Sequence, residues 1–93
     1  MANGISLVLM SNAAAGNGTA AIWPGGKGIL MAEATWGGGS AKLQMQTPNG
    51  TWIDVDGVSL TANGTKAIDI PAGQIRAVTA TASAAYVYAI RTA

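Results

Sequence analysis

The sequence predicts an all-β fold, a small antiparallel β-sandwich or jelly roll of about seven to eight short strands. Three observations predict it. Turn-forming clusters of Gly, Asn, Asp and Pro recur along the chain, at 15–19, 24–28, 37–40, 48–51, 56–57, 62–65 and 71–73. The short segments between them alternate apolar and polar residues or run apolar throughout. No segment carries a 3.6-residue apolar stripe through three capped turns. The alanine-rich stretches are therefore read as strand and loop despite their helix propensity.

The elements follow in order. Ile5–Met10 is an apolar run bounded by Asn-Gly and Ser-Asn, and Ala20–Trp23 is a short second strand. Ile29–Trp36 sets Leu30, Ala32, Ala34 and Trp36 on one face against Ile29, Met31, Glu33 and Thr35 on the other. Lys42–Thr47 alternates Leu43, Met45 and Thr47 with Lys42, Gln44 and Gln46. After a turn, Trp52–Val55 sets Ile53 and Val55 against Trp52 and Asp54, giving the clearest hairpin of the chain. Lys66–Ile70 directs Ile68 and Ile70 inward and Asp69 outward. Ile75–Thr81 and Tyr86–Arg91 complete the set, the last with Tyr86, Tyr88 and Ile90 on one face and Ala85, Val87, Ala89 and Arg91 on the other.

The tripeptide Asn-Gly-Thr occurs three times, at 17–19, 49–51 and 63–65. Asn-Gly tolerates the positive φ of a type I′ turn. The second and third copies are therefore expected at hairpin corners, and the first in a loop between an N-terminal strand and the body. Each is formally an N-glycosylation acceptor. The N-terminal apolar run lacks a preceding Lys or Arg and is short for a secretory signal, so no export and no glycosylation are expected.

With 93 residues the chain is expected to form one domain, 1–93, in which 1–15 is its first strand or an N-terminal arm. Cysteine and histidine are both absent. That removes disulfide support, and it removes the usual means of zinc binding and nucleophile activation. Only 10% of residues are charged, and the five basic ones are spread singly. Neither nucleic-acid binding nor polybasic docking to membranes is expected. No run approaches the roughly 18 apolar residues of a membrane span. Nineteen residues are alanine and phenylalanine is absent. A surface so poor in charge suits a protein that works packed against neighbours.

Motifs with a chemical meaning are weak. Trp23–Gly28, WPGGKG, lacks the spacing and the following Ser or Thr of a phosphate loop. Asp54–Gly57, DVDG, opens like a calcium loop, but Thr65 stands where the closing Glu belongs, so a solvated strand end is expected. No catalytic pair stands out among Glu33, Asp54, Asp56 and Asp69. The chain is read as no enzyme, with no cofactor and no metal. The aromatic residues Trp23, Trp36, Trp52, Tyr86 and Tyr88 are either the bulk of a thin core or a partner interface. Trp52, opposite Ile53 and Val55 in alternation, is the leading interface candidate. Ile5, Leu7 and Leu9 join the candidates if the N-terminal run adds a strand to a neighbour.

From Ala34 to Thr92 the chain resembles a family of small virion proteins of tailed bacteriophages. The resemblance rests on Leu43, Gly50 and Trp52 in a pattern L-x-x-x-x-x-x-G-x-W, on the turn Leu60–Gly64, LTANG, on Pro71–Ala77, PAGQIRA, and on a closing alternating strand. It implies a β-sandwich that decorates or cements the capsid, binds the major capsid protein and other virion subunits, and assembles as a dimer or trimer. It implies synthesis in the bacterial cytoplasm and residence on the capsid surface. The alternatives are a carbohydrate- or receptor-binding module displayed on the virion through exposed aromatics, and a small tail or adaptor component.

Overall fold

The computed structural model describes residues 6–92. Among the described residues there are nine strands: β1 Ser6–Ala13, β2 Gly16–Asn17, β3 Ala21–Trp23, β4 Gly26–Thr35, β5 Ser40–Gln46, β6 Trp52–Leu60, β7 Gly64–Ile70, β8 Gly73–Ala80 and β9 Ser83–Arg91. The segment 6–10 of the N-terminal run is a sheet strand, paired with β9. Sheet A has the order β1-β9-β4-β7, and sheet B the order β2-β8-β5-β6, with β3 also on β8. All pairings are antiparallel. β2 and β3 lie along successive parts of β8 and act as one interrupted strand. Counted that way, eight strands cross back and forth between two four-stranded sheets in the order of a jelly roll.

Alternation fixes which side chains enter the space between the sheets. Leu30 and Ala32 on β4, Ala85, Val87 and Ala89 on β9, Ala41 and Leu43 on β5, and Ile75 and Ala77 on β8 are all buried. Five of these nine are alanine, so the side chains between the sheets are small, and Trp23, with no exposed surface, supplies bulk at one end. Its indole nitrogen donates to the Ile70 carbonyl at 3.3 Å. Gly28 on β4 makes room for the ring, since a Cβ there would lie 2.8 Å from Trp23 Cη2 and overlap the Ile90 carbonyl.

β7 is an outer strand, and Lys66 lies opposite Leu30 and therefore on its inward face. A charge in that position discourages the addition of another strand. β6 is the outer strand of sheet B and is broken by a bulge. Four of its residues, Val55–Val58, oppose Leu43 alone, and Gly57 has φ +74°. The DVDG stretch is thus a bulge inside a strand that runs on to Leu60, not a strand end.

The three Asn-Gly-Thr copies have three different roles. At 47–51 the Gly50 N–H donates to the Thr47 carbonyl at 2.8 Å, and the Thr47 N–H to the Thr51 carbonyl at 2.7 Å. Gly50 has φ +88° while Asn49 keeps a negative φ. This is a type I turn closed by a glycine bulge, not a type I′ turn, because Pro48 fixes the negative φ of the first corner. The 63–65 copy is no hairpin corner, since β6 and β7 belong to different sheets. Asn63 Oδ1 instead accepts the Ala34 N–H at 3.1 Å and the Trp36 indole N–H at 2.8 Å. The 17–19 copy borders β8, with the Gly18 N–H donating to the Ala77 carbonyl at 2.7 Å.

Candidate functional site

The outer face of sheet B carries a linked set of side chains. Because Ala41 and Leu43 point inward, Lys42, Gln44 and Gln46 of β5 point outward. Gln44 lies opposite both Arg76 of β8 and Asp54 of β6, and Gln46 lies opposite Trp52. Register therefore gathers six polar or aromatic residues from three strands. Arg76 reaches diagonally over β5 and sets its guanidinium 4.4 Å from the centroid of the Trp52 ring. Its Nε donates to Gln44 Oε1 at 2.9 Å. The Gln44 amide donates to Asp54 Oδ1 at 2.9 Å, and Lys42 Nζ to Asp54 Oδ2 at 3.2 Å. The Gln44 amide, and then Lys42, hold the Asp54 carboxyl below the usual aspartate range.

This chain of hydrogen bonds orients Arg76. The guanidinium is held over the indole and fixed at Nε, which leaves its two terminal nitrogens for other partners. These nitrogens have no hydrogen-bond partner among the described residues. A preset planar donor pair suits a carboxylate or another planar acceptor on a partner. The groove of about 490 Å³ at one end of the sandwich is lined by Met45, Ile53 and Pro71, among others, and by neither Trp52 nor Arg76.

The candidates from sequence separate into core and surface. Trp23 and Leu9 lie wholly in the core and are unavailable to a partner, Trp23 because it fills the gap above Gly28 and Leu9 because β1 closes sheet A. Leu7 is half-buried against the core. Trp36 is half-buried and bound to Asn63. Tyr86 and Tyr88 are half-buried on the outer face of sheet A. Ile5 lies outside the described residues. Trp52 stands at the centre of the sheet B cluster. Ile53 faces the interior but remains 51% exposed at the open end of the sandwich.

Sequence reasoning missed Arg76, Gln44 and Lys42 as partners of Trp52. Their outward positions follow from alternation. The adjacency of β8 and β5 does not, because two strands separate them along the chain.

Fold and surface together define a small jelly-roll domain with an arginine–tryptophan face. Among solved structures the chain is similar to the SPBc2 prophage-derived protein YomS, with 13% identity and a TM-score of 0.72 over 95% of this chain and 90% of that one. At this identity the likeness is one of fold. PirA is a weaker match, with 14% identity and a TM-score of 0.43 over 98% of this chain and 94% of that one. No protein-family model matches the chain, and a comparison with curated protein sequences finds no match.

Proposed function

We propose that the chain is a structural virion protein of a tailed bacteriophage, a capsid decoration or cement protein that seats the outer face of sheet B on the shell. The observation that carries this reading is the Arg76–Trp52 pair, held by Gln44 on the outer face of sheet B. Tryptophan and arginine dominate the energetics of protein interfaces, and this pair lies outside the groove at the end of the sandwich, which favours a protein surface over a small ligand. Jelly rolls recur in viral capsid proteins, and the likeness to a prophage-derived protein fits the same setting, both as analogies of fold.

The mechanism is passive. Copies lie across boundaries between major capsid protein subunits, present Arg76 to acidic groups and bury Trp52. Binding to the folded, assembled state alone raises the stability of that state by mass action. No reaction is involved, and the site of action is the surface of the virion after synthesis in the bacterial cytoplasm. A carbohydrate-binding reading has less support, because Arg76 already covers one face of Trp52.

The test is to count copies in purified particles by quantitative mass spectrometry and to heat particles with and without the protein. The reading requires hundreds of copies and a lower rupture temperature in their absence. Trp52→Ala and Arg76→Ala should release the protein from the shell while its own melting curve persists. A handful of copies per particle, or none, would end the cement reading.

A further inference from the structure

The outer face of sheet A is its own complement. Along β4 the outward residues run Lys27, Ile29, Met31 and Glu33: a cation, two apolar side chains and an anion. Consider a second copy turned over by a two-fold axis lying in the plane of contact and crossing the strands midway along this run. Lys27 then meets Glu33 of the second copy, and Ile29 meets its Met31. The neighbours obey the same symmetry. Tyr88 lies beside Met31 and Ile90 beside Ile29, so Tyr88 meets Ile90 of the second copy.

We propose that the chain forms a symmetric dimer through this face. The centre is apolar and unsatisfied by the chain itself: Met31 is 38% exposed, and Val8, beside Tyr88 on β1, is 56% exposed. The charges stand at the two ends of the run, as in an interface with an apolar centre and a polar rim. Neither the Lys27 ammonium nor the Glu33 carboxylate has a hydrogen-bond or ion-pair partner among the described residues. The remaining charge, Asp69, lies beside Lys27 at the β7 edge, and the two-fold carries it toward the uncharged Asn63 corner.

The molecule is a slab of 35 × 34 × 21 Å. One broad face is large enough for the roughly 800 Å² per partner of a standard interface. The two-fold makes the contact closed, so association stops at two. The dimer would expose both Arg76–Trp52 faces on opposite sides, which suits bridging. The inference concerns the free protein in solution and stands apart from the virion reading.

The experiment is sedimentation velocity on the full chain and its variants across a concentration series, with circular dichroism to check folding. The wild type should reach twice the 9.2 kDa chain mass. Glu33→Lys sets like charges against Lys27 and should weaken association at least tenfold, as should Lys27→Glu. The double swap Lys27→Glu with Glu33→Lys restores the complement and should return to within about threefold of wild type. Met31→Arg, at an exposed position, should leave the monomer folded and unassociated. A wild type that stays at 9.2 kDa up to millimolar concentration overturns the proposal. Single variants that associate like wild type, or a double swap that fails to recover, overturn it as well.

Discussion

Gly28→Ala isolates the contact that seats Trp23 between the two sheets. The added methyl would sit 2.8 Å from Cη2 of a fully buried tryptophan and overlap the Ile90 carbonyl of the neighbouring strand. Neither obstacle is a flexible surface side chain, so β4 and β9 must separate or Trp23 must leave its place. Overpacking of this kind costs about 1–3 kcal/mol, and a backbone collision places it in the upper part of that range. The smaller unfolded-state entropy of alanine offsets about 0.5–1 kcal/mol. The expected net loss is about 2 kcal/mol, against a total of roughly 5–14 kcal/mol for a chain of this length. The melting midpoint should fall by about 8–16 °C in thermal circular dichroism. Gly57→Ala is the control. It has φ +74° and open space around the new methyl, so it should cost only about 1 kcal/mol of backbone strain. A Gly28→Ala protein that melts within two or three degrees of wild type, or no lower than Gly57→Ala, would refute the close packing of Trp23 on β4.

Further outcomes follow from the hydrogen bonds. Asn63→Ala removes the acceptor shared by Ala34 and Trp36. The site is exposed and water replaces part of the loss, so urea denaturation should show a cost of about 1 kcal/mol, and Asn63→Asp should recover most of it. Asp54 titrates below the usual aspartate range, so its contribution is present at neutral pH and is lost only as pH falls through that lowered value. The Gln44 side-chain amide resonances should hold steady from neutral pH through mild acidity and shift only on further acidification. Asp54→Asn should show the acid-state shifts already at neutral pH.

Much of this fold was legible from alternation. The inward faces of β4 and β9 and the outward direction of Lys42, Gln44 and Trp52 follow from a period of two, which sterics enforce on any strand. Turn chemistry was less informative. Asn-Gly at 49–50 adopts a glycine bulge because Pro48 constrains the preceding corner, and Asn63 leaves the turn to serve as an acceptor for Trp36. The bulge at Val55–Val58 was also hidden, because inserted residues disturb the alternation that would reveal them. The candidate surface was half visible: Trp52 stood out, but its stacking partner Arg76 lies 24 positions along the chain on a strand that only the jelly-roll crossover brings alongside β5. Trp23 shows the converse. The sequence left it open between core and interface, and Gly28, on the other sheet, hollows out a place for it in the core.

The Arg76–Trp52 face is the surface proposed to meet a shell. The most direct measurement is electron cryomicroscopy of intact particles produced by the genetic element that encodes it, at a resolution that traces individual strands. Many symmetry-related copies are expected on the capsid, each with β5, β6 and β8 turned toward the shell and Arg76 against an acidic side chain. Particles that lack the chain, or that carry it with this face open to solvent, would contradict it.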